Sequence, residues 1–168
     1  MEFLKLAKQR FSVRAFKNQP IEAEKLNKIL EAGRLAPTAK NEQPQKIFVV
    51  QSPEALERLK KYTECHYEAP CILIVCYDEE ISWYRDRPER AAIDPTIVLT
   101  HMMLQATELG IGSVWVGSCD CPGLIKEFNF PANIKPVALM PLGYASDECE
   151  PSPRHDIRRP LEETVEFL

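Results

Sequence analysis

No apolar run in this chain approaches the roughly 18 residues that an α-helix needs to cross a bilayer, which argues against a helical membrane anchor. Three glycine motifs are also missing. There is no GxGxxG, no glycine-rich loop closing on Lys-Ser/Thr, and no GxSxG elbow. Their absence removes the usual signatures of dinucleotide folds, P-loop nucleotide sites and serine hydrolases. Histidine is scarce: His66, His101 and His155 lie far apart, and Cys119-Asp-Cys121 has no second strong pair. Zinc ligand spacing is therefore lacking, no metal is expected, and structural or incidental cysteines are the first explanation of that pair. Internal repeats and long low-complexity linkers are absent too.

What is present fits one soluble domain, residues 1–168. Apolar residues make up 45 % and charged residues 27 %, enough for an ordinary core and surface. The formal net charge of -4 speaks against broad nucleic-acid binding, although a local basic pocket could hold a small anion. The N-terminal MEFLKLAKQR does not read as a secretory signal, so the cytoplasm is the expected location. The six cysteines then read as free thiols in a reducing compartment.

Apolar spacing predicts helices over residues 3–9 and about 22–34, the second loaded with Glu22 and Glu24 in its first turn and stopped by Pro37. A short strand follows at 47–50. Ser52-Pro53 reads as an N-cap with proline at the first helical position, opening a helix with Leu56 and Leu59. CILIVCY, Cys71–Tyr77, is apolar nearly throughout and reads as a central strand covered on both faces. Residues 78–90 read as a loop with Trp83 and Tyr84 as anchors. Asp94-Pro95 is expected to cap and open a central helix to Glu108. Further expectations are a strand at Val114–Val116, a short helix capped by Asp120, and a last core strand at Val137–Leu142. The class is α+β with a small mixed sheet.

Three segments carry chemistry. In RFSVRAF, Arg10, Ser12 and Arg14 share one face if the backbone is extended. Two guanidinium forks and a hydroxyl then suit a phosphate, although a wet strand edge explains the spacing more simply. In APTAKNEQP, Thr38, Lys40, Asn41, Glu42 and Gln43 lie between Pro37 and Pro44. They offer donors and acceptors to a heterocycle with an N–H and two carbonyls, or form a solvated turn. In Gly110–Gly117 the glycines permit close backbone approach.

Taken in order, RFSVRAF, LEAGRLAPTAKNEQPQKIFVV, LQATELGIGSVWVG, ALMPLGY and RRPLEE resemble the FMN-dependent nitroreductase family, here a short member. The resemblance covers nearly the whole chain. It implies the nitroreductase fold, with a central sheet between helices and a C-terminal tail exchanged in a homodimer holding two FMN sites. It implies that Arg10 and Arg158 hold the FMN phosphate, with Arg159 as the alternative one register away. Phe11 and Ser12 would lie beside the phosphate and ribityl chain, and Arg14 near the ribityl chain and the flavin pyrimidine edge. Pro37, Thr38, Ala39, Asn41 and Gln43 would belong to a loop reaching the flavin from the other subunit, and Val114, Trp115, Val116 and Gly117 to the backbone beside the ring. The implied activity is electron transfer from NAD(P)H to nitroaromatics, quinones or similar small acceptors by ping-pong kinetics, with no catalytic acid or nucleophile. A flavin-binding sensor or carrier, or a cofactor-free structural dimer, is the alternative. Lys40 departs from the small residue often found there. Its amine either faces the ring and tunes its potential, or is a solvated lysine.

Overall fold

A computed structural model describes residues 2–168. Helix α1 (Phe3–Gln9) leads through an extended stretch to α2 (Ala23–Arg34). Strand β1 (Gln45–Val50), helix α3 (Pro53–Lys60) and strand β2 (Cys71–Asp78) follow. Then come the long helix α4 (Ile93–Glu108), the two-residue strand β3 (Gly112–Ser113), helix α5 (Cys121–Glu127) and strand β4 (Ile134–Gly143).

The sheet order is β1-β2-β4-β3, and all three pairings are antiparallel. A parallel bridge between Ser12 and Ser113 makes it mixed. β2 lies inside the sheet, and its alternate side chains enter opposite layers, as the two-residue strand period requires. Cys71, Leu73 and Val75 pack with Ile29 of α2 and Val98, Leu99 and Met102 of α4. Ile72, Ile74 and Cys76 pack on the other side with Leu59 of α3 and Leu124 of α5. Burial on both faces is why residues 71–76 of the strand are all apolar.

α2 and α4 approach closely at Gly33, where a Cβ would stand 2.8 Å from Met102 Cγ. Two of the three expected caps form: Ser52 Oγ accepts from Ala55 N at 3.2 Å, and Asp120 Oδ1 accepts from Gly123 N at 3.0 Å. The third does not. Asp94 is the second residue of α4, its N-cap is Ala92, and the Asp94 side chain is buried rather than capping.

The expected strand at Val114–Val116 is also displaced. Regular pairing covers Gly112 and Ser113, and beyond them only the Val116–Leu139 bridge forms. The reason is Pro141 of β4. It accepts from Val114 N at 3.3 Å but has no N–H with which to return a bond.

Candidate functional site

Helix α1 ends at Arg10, whose N–H closes the helix on Leu6 O. The chain then extends and Val13 N donates to Ser113 O at 3.0 Å, fastening this stretch to β3. Gly112 permits that approach, because a Cβ there would meet Val13 Cγ2 at 2.7 Å. Alternation buries Val13 and leaves Ser12 and Arg14 on the other side, where Arg14 Nη1 reaches Ser12 O at 3.5 Å. Arg14 also faces Tyr67. That phenol is pushed up, first by its bond with the Cys65 thiol and then by burial, and Arg14 partly offsets the rise.

The C-terminal segment returns to the same place. His155 Nε2 lies 2.9 Å from Lys8 O, and its ring meets Phe11 edge-on at 6.3 Å between centroids. The result is an open cavity of about 480 Å³ lined by Arg10, Phe11, Ser12, Arg14, Ser152, Arg154, His155 and Arg158. Four of its lining residues are arginines and none is a carboxylate. Such a donor set suits a dianionic oxyanion. Arg158 Nη1 is braced by His155 O and by Ile157 O, the latter at 2.8 Å. Arg159 is turned elsewhere, and its guanidinium binds Glu163 through both Oε2 and the backbone oxygen at 3.0 Å. Arg154 and His155 were not singled out by sequence reading. Pro-Ser-Pro-Arg-His resembles a solvated turn, and only the return of the chain to α1 makes it part of a cavity.

The loop after α2 is the second part. Lys40, Asn41 and Gln43 all have φ between 50° and 58°, in the left-handed region. Each such non-glycine residue costs on the order of 1 kcal/mol, and surrounding bonds must hold it. Gln43 N donates to Thr38 Oγ1 at 3.0 Å, Asn41 N to Thr38 O at 3.0 Å, and Gln43 Nε2 to Asn41 O at 3.2 Å. The buried carboxylate of Asp94 accepts from Ala39 N at 3.1 Å. Its other oxygen, Oδ2, is buried with no partner among the described residues. Lys40 Nζ lies over the Trp83 ring, 4.1 Å from its centroid, which ties this loop to the segment between β2 and α4.

The third part is the stretch after β3. Val114 and Val116 turn their side chains into the core, and Val116 exchanges both backbone bonds with Leu139. Trp115 and Gly117 face outward, with the indole packed where a Gly117 Cβ would be, 2.7 Å from Trp115 Cζ3. The structure thus brings Arg10, Phe11, Ser12, Arg14 and Arg158 together. Pro37–Gln43 and Trp115–Gly117 do not line that cavity in the single chain.

An α+β sandwich with an arginine-lined cavity between its first helix and its tail defines a fold and a site suited to a small anionic ligand. The nitroreductase family model matches residues 7–67 and 64–144. A crystal structure of a nitroreductase family protein from Clostridium difficile 630 is 40 % identical, with a TM-score of 0.91 over 99 % of this chain and 98 % of that one. An NADPH-dependent oxidoreductase of Staphylococcus epidermidis RP62A is 30 % identical over 89 % of this chain and 67 % of its own length. A protein from Exiguobacterium sibiricum 255-15, solved in complex with FMN, shares the fold at 21 % identity, with a TM-score of 0.83 over 100 % of this chain and 98 % of that one. The chain belongs to the nitroreductase family, as a short member.

Proposed function

We propose that this protein is a cytoplasmic, homodimeric oxidoreductase that uses FMN to pass electrons from NAD(P)H to nitroaromatics, quinones or similar small acceptors. One observation carries the reading: the cavity where Arg10, Arg14, Arg154 and Arg158 converge with Ser12 and no carboxylate. A phosphate of charge near -2 needs that donor set, and the residues present therefore fit the FMN phosphate. Arg10 and Arg158 would hold it through forked hydrogen bonds. Ser12 would offer its hydroxyl to the phosphate or the ribityl chain. Arg14 would place a fixed positive charge toward the pyrimidine edge, favouring the reduced, more negative form.

When bound, FMN supplies a two-electron centre able to take hydride from a nicotinamide and give it to an acceptor. The chain's part is to bind, orient and exclude water. Donor and acceptor would use one face in turn, which makes the kinetics ping-pong.

Dimerisation is supported by the separation of the three parts in one chain. The loop Pro37–Gln43, held rigid by Asp94 and Thr38, would complete the site of a second copy. Trp115 and Gly117, exposed beside β3, would border the ring. The tail also leaves Ile157, Leu161, Val165, Phe167 and Leu168 exposed on the single chain, an apolar series that a partner surface would cover.

The test is an absorption spectrum of the purified protein, continued during anaerobic addition of NADH or NADPH. Flavin bands that bleach on nicotinamide addition are expected. Bands that persist would point to a sensor or carrier, and a protein that stays colourless when given FMN would overturn the cofactor assignment.

A further inference from the structure

We propose that Cys119 and Cys121 form a redox-active dithiol, which closes to an intramolecular disulfide on exchange with a low-molecular-mass disulfide and thereby unfastens the start of α5. The two sulfurs are 3.6 Å apart and within hydrogen-bond contact, and Cys121 Sγ also reaches Pro136 O at 3.7 Å. A disulfide needs about 2.05 Å, so the sulfurs must approach by roughly 1.5 Å, within reach of side-chain rotation and a local backbone shift. Cys119 is partly exposed. With Gly117, Ser118, Asp120, Tyr62 and Thr63 it lines an open cavity of about 520 Å³, large enough to admit a small thiol reagent. The other four cysteines are free, and Cys71 and Cys76 are buried.

The step balances as ordinary exchange. Cys119, as thiolate, attacks one sulfur of a small disulfide, whose S–S bond breaks and releases one thiolate. Cys121 gives its proton to water and attacks Cys119 Sγ of the mixed disulfide, releasing the second thiolate. Two electrons pass from the cysteine pair to the small disulfide, which leaves as two thiols. Burial pushes the Cys119 thiol up to about 12, with Cys121 and Asp120 adding to it, so attack at neutral pH is slow.

The residue between the two cysteines gives the closure its consequence. Asp120 N donates to Tyr62 O at 2.8 Å, and Asp120 Oδ1 caps α5 through Gly123 N. One residue earlier, Ser118 O accepts from Thr63 Oγ1 at 2.7 Å. Drawing the flanking sulfurs together rotates the peptides on either side of Asp120 and breaks the cap and its anchor on Tyr62. The strain falls on the segment that begins at Gly117, against which Trp115 packs.

The experiment incubates the wild-type protein anaerobically with glutathione disulfide. It then reads intact mass, a peptide map, and hydrogen exchange over 121–127. The expected result is loss of two hydrogens, a Cys119–Cys121 link reversed by dithiothreitol, and exchange of the Gly123 amide at least tenfold faster. Cys121→Ser should instead stop at the mixed disulfide, gaining one glutathione on Cys119. A link mapped to other cysteines, unchanged thiols, or a closed link with no change in α5 exchange would each overturn the proposal. The wild-type readouts do not depend on the folding of any variant.

Discussion

Replacing Arg158 by alanine isolates the contribution of one guanidinium to the arginine-lined cavity. A hydrogen bond to a charged group is worth about 1.5–3 kcal/mol. Two features of the structure place Arg158 within that range. Its Nη1 is already braced by backbone oxygens of the tail, so little side-chain freedom remains to be lost on binding. Against this, three other arginines line the same cavity, and removing one of four like charges relieves repulsion in the unliganded protein. The second effect pulls the net loss toward the lower bound, about 1.5 kcal/mol, or roughly a tenfold rise in the FMN dissociation constant. Arg159→Ala removes a side chain spent on Glu163 and should change it by less than about twofold, since exposed ion pairs contribute little. The assay is titration of flavin-free protein with FMN, followed by quenching of flavin fluorescence at two salt concentrations. The wild-type constant should weaken with salt, and the Arg158→Ala constant should weaken less. A tenfold loss in Arg159→Ala with Arg158→Ala unchanged would refute the reasoning and move the tail by one residue.

Arg10→Ala should lose about 1.5–3 kcal/mol of FMN binding in the same titration; no measurable change would leave that arginine on a wet edge. Asp94→Ala strands the Ala39 N–H and should cost about 1–3 kcal/mol in urea unfolding, whereas Asp94→Asn keeps an acceptor and should cost less; equal costs would show that the bond is unimportant. Gly33→Ala gains about 1 kcal/mol of helix propensity but drives a Cβ against Met102 at 2.8 Å, for which overpacking costs about 1–3 kcal/mol. Packing should win and the melting temperature fall; a rise would mean that Met102 moves freely. The Glu127 carboxyl is held below the usual carboxylate range by its hydrogen bond from Arg58 and then by that from Tyr62. Its contribution to stability is therefore present above the unfolded value and lost as pH falls through the folded one. Arg58→Ala should move that carboxyl's titration upward, toward the ordinary glutamate range, in a carbon-detected NMR titration, and an unmoved titration would remove Arg58 as the cause.

Elements with a one-dimensional cause were legible in the sequence. CILIVCY declares burial on both faces because every position is apolar, and Ser52-Pro53 and Asp120 declare caps because their side chains satisfy N–H groups of their own helix. Asp94 misleads because the same residue type before proline serves both a cap and a tertiary bond. Here its acceptor is spent on Ala39, 55 residues away in sequence. β3 shifts for a similarly non-local reason, since its limit is set by a missing N–H on Pro141 of β4 rather than by the alternation of Val114 and Val116.

The candidate site divides along the same line. Arg10, Ser12 and Arg14 are readable from the period of an extended chain and Arg158 from the resemblance, whereas Arg154 and His155 are not, because their place depends on the tail folding back onto α1. Lys40 makes a contact that its sequence neighbours do not announce. Its backbone is held at φ 50°, its amine rests on Trp83, and the pairing joins the loop before β1 to the segment before α4. Bonds at both ends of that loop, to Asp94 and within Thr38–Gln43, hold a strained conformation whose cost the fold gains nothing from locally. The strain is explained if the loop's donors and acceptors are presented to something outside the chain. On the proposed reading, that is the flavin of a second copy.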